Sequence, residues 1–236
     1  MRRWLRRSGG ERSGAPGNGD QTADWVALQL ESRGIADPHV LAALRAVPRE
    51  TFVPADLRRL AYDDGALPIG HGQTISQPYI VALMTEVLAL PDWLAAHGGE
   101  RPKVLDVGTG SGYQAAVLAQ MGAEVFSIER EPELAESARS RLLEAGYQVN
   151  VVIGDGSLGL PGEAPFAAIL VAAAAPDVPV PLVEQLEPDG RLVIPVGSRF
   201  EQVITLVRPT DDGFTREPIE PATFVPLLGE HGFSDR

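Results

Sequence analysis

The sequence predicts an α/β fold: a doubly wound, mainly parallel sheet of seven strands with an antiparallel end and a helical appendage in front. Three observations carry this expectation. Apolar runs of strand length alternate with helix-forming segments from Val104 to Val196. A turn with glycines at alternate positions, Gly108, Gly110 and Gly112, joins the first of these runs to its helix. Further on, Asp211-Asp212-Gly213 separates the last strand-like runs and is a hairpin signal.

Taken in order, residues 1–21 stand apart. Arg2, Arg3, Arg6, Arg7 and Arg12 against Glu11 and Asp20 give the first 20 residues +3, so the rest of this chain of net charge −12 carries −15. Small residues dominate between the charges, which predicts a disordered basic tail. Trp4-Leu5 is too short an apolar core for a signal peptide. Folded structure is expected from Thr22. Trp25, Val26, Leu28 and Leu30 share one side of a short helix that Gly34 closes. Val40, Leu41, Leu44 and Val47 mark a second helix, stopped by Pro48. Pro54 opens a third, through Leu60. Leu67 to Tyr79 is a loop by composition, and it leads into a largely buried helix carrying Ile80, Leu83, Met84, Val87, Leu88 and Leu90. Such a polar, weakly charged loop fixed to a buried helix suits the gripping of a ligand. By spacing alone, Ser76 reads as a cap for the helix opening at Pro78, and His71, between two glycines, as a turn residue.

Val104 to Val107 is the first sheet strand, and Gln114 to Met121 its helix. Glycine tolerates positive φ and has no Cβ, so the turn between them can be sharp and a ligand can approach the backbone. The helix N-terminus then offers free N–H groups, with Ser111 as the expected cap. Glu124 to Glu129 is a second strand ending in an acid. Val149 to Gly156 reads as a third, ending in another acid, Asp155. The loop spacing is G-x-G-x-G, and Tyr113 stands where a dinucleotide-binding loop places its third glycine. Glycine loop, acid after strand two and acid after strand three resemble an S-adenosylmethionine (SAM) methyltransferase with a Rossmann-like sheet. There no pyrophosphate needs cradling, and the third glycine is not required.

Phe166 to Val171 is the fourth strand. Pro176 to Pro181 turns into a helix ending at Leu186, Asp189-Gly190 is a turn, and Arg191 to Val196 is the fifth strand. Gln202 to Arg208 alternates and forms the sixth. The last strand is weak in sequence, broken by Pro218 and Pro221, with Ala222 to Leu227 pairing at the edge.

Composition bounds the function. The chain has 236 residues, enough for one α/β domain, and is 44% hydrophobic. Its negative charge argues against nucleic acid as a partner. The absence of cysteine excludes disulfides, thiolate metal sites and thiol nucleophiles. His39, His71, His97 and His231 show no ligand spacing, so no metal is expected. No apolar run approaches the ~20 residues of a membrane span; the longest, Ala167 to Ala175, reads as a buried strand and its exit turn. A cytoplasmic monomer without membrane contact is expected.

Longer motifs sharpen the resemblance. Ala61-Tyr62-Asp63-Asp64, the run Leu67 to Pro78 with Gln73-Thr74-Ile75-Ser76-Gln77-Pro78, Val104 to Gln114, Ala173-Ala174-Ala175-Pro176 and Phe224-Val225-Pro226-Leu227 resemble the protein-L-isoaspartate O-methyltransferase family, as does Val47-Pro48-Arg49. The resemblance runs from about Trp25 to Leu228. It implies a single methyltransferase domain over 22–236: helices and substrate loop in 22–90, SAM-binding core in 91–208, final strands and tail in 209–236. It implies that Ser76 is the catalytic hydroxyl and meets substrate with Thr223 and Val225. It implies that Thr74, Ile75, Asp106, Gly108, Gly110, Ser111 and Gly112 contact SAM, with Glu129 on the ribose and Asp155-Gly156 at the adenine. Ala172 stands where relatives often carry Thr. The partners implied are isoaspartyl proteins and peptides. Their carboxylate, with a pKa near ~4, is ionised at neutral pH and needs no general base. Another carboxylate or small molecule as methyl acceptor, a NAD-dependent oxidoreductase and a non-catalytic SAM-binding protein are the alternatives. Tyr113 and the lack of an acid–base pair weigh against the oxidoreductase, and the Ser76 loop against the pure binder.

Overall fold

The computed structural model describes residues 25–234. The basic tail over 1–21 and the expected start at Thr22 lie outside the described residues. The strands are β1 (Leu67–Gly70), β2 (Gln73–Ile75), β3 (Lys103–Val107), β4 (Glu124–Glu129), β5 (Val149–Ile153), β6 (Phe166–Val171), β7 (Leu186–Gly197), β8 (Gln202–Thr210) and β9 (Gly213–Ala222). The helices are α1 (residues 25–29), α2 (Pro38–Ala46), α3 (Pro78–Leu88), α4 (Leu90–Ala96), α5 (Tyr113–Gln120), α6 (Pro132–Glu144) and α7 (Val180–Val183).

Seven strands form one sheet in the order β5-β4-β3-β6-β7-β8-β9. Pairing is parallel from β5 to β7 and antiparallel from β7 to β9, as the alternation of elements predicts. The central β6 is buried at every residue because both of its faces are covered. On one face Val104, Leu170 and Val193 meet Met84 and Leu88 of α3 and Leu118 of α5. On the other, Leu105, Ile169 and Leu192 meet Leu182 of α7. Successive residues of β3 thus serve opposite layers, as the two-residue period of a strand requires. α3 and α5 are also joined by polar contact: Gln114 Nε2 donates to Thr85 Oγ1 at 2.9 Å.

Several local expectations are corrected. In the first helix Trp25, Val26 and Leu30 are core, but Leu28 is 72% exposed. No α-helix runs from Pro54 to Leu60; short 3-10 turns occupy Arg49–Phe52 and Arg58–Leu60, too brief for i→i−4 bonding to propagate. The supposed loop at 67–79 contains the antiparallel hairpin β1–β2, with His71 at its tip at φ 53. The helix before the fifth strand is one turn, α7, and Leu186 already belongs to β7. Asp189 and Gly190 lie in a bulge between Leu186, paired with Phe166, and Arg191, paired with Ala168. β9 is long despite Pro218 and Pro221, with a bulge at Ile219 where the register to β8 shifts, because an edge strand has an unpaired side on which the missing N–H groups cost nothing. Residues 223–227 lie off the sheet edge and pack along Ala174, which donates to Val225 O and accepts from Leu227 N–H. Pro78–Ala96, with a mean hydropathy of 1.4, passes by length and composition as a spanning segment, contrary to the count of unbroken apolar runs. Ala89, at φ 49, breaks it into α3 and α4, and Met84, Leu88 and Leu90 are buried in the core.

Leu105 on β3 has no exposed surface. Its truncation in Leu105→Ala is expected to cost about 2–5 kcal/mol, read as a lower denaturant midpoint with an unchanged m-value.

Candidate active site

The glycine loop is held by the strand beside it. Past the end of β3, the N–H groups of Gly108 and Thr109 both donate to the Ile128 carbonyl, at 2.9 and 3.3 Å. Gly108 and Gly112 each sit at φ 93, a left-handed region closed to most side chains. The cap of α5 is Gly112 rather than Ser111; Ser111 Oγ accepts only a long bond, 3.4 Å, from Tyr113 N–H. Glu129, the last residue of β4, turns its carboxylate back to the loop. Its Oε2 accepts from Gly110 N–H at 2.8 Å and its Oε1 from Glu131 N–H at 3.1 Å. Each oxygen keeps a lone pair for a ligand hydroxyl.

Behind the loop lies a buried polar chain. Ser127 donates to Asp106 Oδ2 at 2.7 Å and accepts from Thr109 at 2.6 Å. Asp106 is wholly buried, and its Oδ1 has no hydrogen-bond partner. Burial, helped by the nearby Glu129 charge and opposed by the Ser127 hydroxyl, pushes the Asp106 carboxyl up to about 7. Its ionisation therefore costs stability, and its contribution to folding declines as pH rises from the ordinary carboxyl value to about 7.

A cleft opens at the carboxyl ends of β3, β4 and β6. Gly108, Gly110, Ser111 and Glu129 form its inner wall, Thr74, Ile75 and Ser76 its hairpin side, and Gly156 and Val225 its rim. Asp106, Gly112, Asp155 and Thr223 do not line it. Asp106 sits behind the loop. Gly112 packs on Leu142, whose side chain a Cβ there would meet at 3.1 Å. Thr223 lines an adjoining cleft. Asp155 faces the C-terminal segment: it accepts from Glu230 N–H at 2.8 Å, Ser157 N–H at 2.9 Å and Ser157 Oγ at 2.7 Å. Burial works against its ionisation, but these bonds and the Arg130 charge hold its carboxyl below the ordinary value. Ser76 does not cap α3; that position belongs to Gln77, and no side chain caps the helix. Its hydroxyl is not committed to the role that spacing suggested.

Sequence reasoning missed other parts of the cleft wall: Val81 and Met84 from α3, Tyr113 and Gln114 from α5, and Leu227 and Leu228 near the C-terminus. The apolar pattern of α3 signals burial, but burial against core and burial against a cleft look alike in sequence. At the opposite, amino-terminal end of the parallel strands, His97, Glu187 and Asp189 bring ligand-type atoms within 4.8 Å of one another, which chain spacing did not reveal. Part of that set is already engaged: Glu187 accepts from the Trp93 indole at 3.0 Å, and His97 Nδ1 lies 2.9 Å from the Trp93 carbonyl.

The cleft suits an adenosyl sulfonium. It has, at Glu129, an acid with a lone pair free on each oxygen, and a glycine backbone for close approach. Gly156 lets the main chain pack directly on Val107, since a Cβ there would lie 2.5 Å from Val107 Cγ1. Sheet order and loop together define a SAM-dependent methyltransferase of the Rossmann-like class. The family profile of protein-L-isoaspartate(D-aspartate) O-methyltransferase (PCMT) matches residues 22–232. The protein-L-isoaspartate O-methyltransferase of Methanoculleus marisnigri is 48% identical over 211 residues, covering 89% of this chain and 92% of its own length. Protein-L-isoaspartate O-methyltransferase 2 of Marinobacter nauticus is 53% identical, over 88% and 93%. A solved protein-L-isoaspartate O-methyltransferase superposes with a TM-score of 0.77 at 27% identity, over 89% of this chain and 67% of that one. A Plasmodium falciparum structure described as a beta-aspartate methyltransferase (PCMT) in complex with S-adenosyl-L-homocysteine shares the fold, with a TM-score of 0.73 at 24% identity. The chain belongs to the protein-L-isoaspartate(D-aspartate) O-methyltransferase family.

Two outcomes are expected. Gly156→Ala drives a Cβ into the stiff, β-branched Val107, an overpacking cost of about 1–3 kcal/mol, and titration calorimetry should show weakened SAM binding. The depressed Asp155 carboxyl stabilises the fold fully above the ordinary value of 3.8, and this is lost as pH falls through its lower folded value. Melting temperature should therefore fall more steeply as pH drops below 3.8 in the native chain than in Asp155→Asn.

Proposed function

We propose that this protein transfers the SAM methyl group to the free carboxylate of L-isoaspartyl residues in damaged proteins and peptides. This starts their repair through a methyl ester and a succinimide. The observation that supports it is a junction. The glycine-loop cleft meets a second cleft lined by Thr223 and Phe224, and Thr74, Ser76, Ala172 and Val225 border both. A ligand in the inner cleft and a peptide in the outer one would meet beside Ser76. The whole reads as one methyltransferase unit, in which the N-terminal helices and hairpin wall a SAM-binding core.

SAM bound there supplies a methyl group on a sulfonium, an electrophile strong enough for direct transfer to an anionic oxygen. Glu129 holds the ribose, Thr74, Ile75, Gly108, Gly110 and Ser111 line the inner cleft, and Gly156 bounds it. Asp106 braces the loop from behind through Ser127 and Thr109, and Gly112 shapes the turn. Asp155 holds the C-terminal segment in place rather than offering its carboxylate to the ligand. The isoaspartyl carboxylate is already ionised, so no residue has to remove a proton. The chain contributes orientation, worth up to roughly 7–11 kcal/mol when alignment is ideal. Ser76 donates its hydroxyl to the carboxylate and keeps one oxygen in line, with Thr223 and Val225 bordering the peptide. Ala172 offers no hydroxyl, so that task falls to Ser76. The net negative charge favours protein over nucleic-acid substrates, and a cytoplasmic monomer working away from membranes fits the same reading.

Two peptides identical except for one Asp or isoAsp, incubated with methyl-labelled SAM, test the reaction. Base-labile label is expected on the isoAsp peptide alone; equal labelling of both would overturn the assignment. Ser76→Ala should lower kcat by about 10²-fold, as misalignment does, with SAM affinity nearly unchanged.

A further inference from the structure

We propose that Arg49 is a positioning residue for this transfer: its guanidinium holds the backbone at Ser76, and through it the hydroxyl that meets the reacting carboxylate. The inference rests on the reading of Ser76 given above.

Arg49 has no exposed surface. Arginine is rarely buried so completely without a carboxylate partner, yet no ion pair to Arg49 occurs among the described residues. Its donors go to two carbonyls far apart in the chain: Nε to Ala61 O and Nη2 to Ser76 O, each at 2.7 Å. Its guanidinium carbon lies 5.0 Å from the centre of the Tyr113 ring, at the first residue of α5. Arg49 Nη1 and the Tyr113 hydroxyl are both buried and pair with each other, so the guanidinium also engages the first residue of α5 through its hydroxyl.

One cation thus ties together the 3-10 turn at 49–52, the segment before the hairpin, the glycine-loop helix and the Ser76 carbonyl. The tie falls between two elements, beside Gln77, whose side-chain amide donates to Asp64 Oδ1 at 2.7 Å. β2 ends at Ile75 and α3 begins at Pro78, which has no N–H, so Ser76 lies between two elements and inside neither. An apolar side chain would fill the space as well, but it would not set the direction of a carbonyl. A rigid guanidinium fork does, and a lysine ammonium, as a single flexible point of charge, does so less well. Turning the Ser76 peptide plane moves the reacting side chain without touching the wall that Glu129 and Gly108 provide for SAM.

The test uses the full chain with Arg49→Lys, Arg49→Met and Ser76→Ala. It reads steady-state methylation of an isoaspartyl peptide, SAM affinity by calorimetry and amide hydrogen exchange. Arg49→Lys is expected to lose about ten-fold or more in kcat, as misplacement does, while SAM affinity stays within about three-fold, the split that marks a lost transition-state contact. Exchange over residues 73–77 should quicken, with β3 and β4 unchanged. Arg49→Met should be slower than Arg49→Lys; if it does not fold, Arg49→Lys decides alone. Unchanged kcat in Arg49→Lys beside an impaired Ser76→Ala would overturn the role of Arg49 only. So would kcat, SAM affinity and sheet protection falling together, since that marks general destabilisation. An unimpaired Ser76→Ala would overturn the reading of Ser76 itself, and the positioning role with it.

Discussion

The parallel pairing of β3 with β4 is the constraint on which the site rests. The register runs from Lys103 with Glu124 to Val107 with Ile128. It leaves the Ile128 carbonyl just beyond the end of β3, where it takes two successive N–H groups of the glycine loop. The same register sets Asp106 beside Ser127 and brings Glu129 up to Gly110. A one-residue slip would reverse which side chains face each layer and strand the Asp106 carboxylate among the apolar residues around Leu105.

From this fixed edge the site is built outwards by elements remote in sequence. The hairpin β1–β2 brings Thr74 and Ser76 to one side. The 223–227 segment returns across Ala174 to bring Val225 to the other. The result joins an inner cleft at the glycine loop to an outer one beside Thr223. Chemistry between two bound partners requires that arrangement, because their relative orientation is what the protein has to supply.

Charge is distributed economically around the two clefts. Acids hold backbone N–H groups or hydroxyls: Glu129 at the glycine loop, Asp106 behind it and Asp155 at the C-terminal segment. The buried cation, Arg49, holds carbonyls instead. Glu129, Asp155 and Arg49 thus orient main chain, and this suits a reaction whose nucleophile arrives already charged and needs no proton removed.

What the sequence determined by itself was whatever local rules decide. The strands Glu124–Glu129 and Phe166–Val171 were legible to the residue, because short apolar runs between turn signals admit few other readings, while the third strand, read through Gly156, ends at Ile153. The glycine loop was legible because only glycine accepts its backbone. The hairpin at 67–75 was not, since its burial alternates over only a few residues, nor was β9, whose prolines are acceptable only at an edge that the sequence does not reveal. At the site, Glu129, Gly108 and Ser76 could be named from motifs. The attachment of Asp155 to Glu230, the engagement of Arg49 with Ser76 and the place of Met84 in the cleft wall came from tertiary structure alone. They depend on which distant backbone groups arrive beside a side chain, and a hydrogen bond between residues tens of positions apart leaves no periodicity in the chain that makes it.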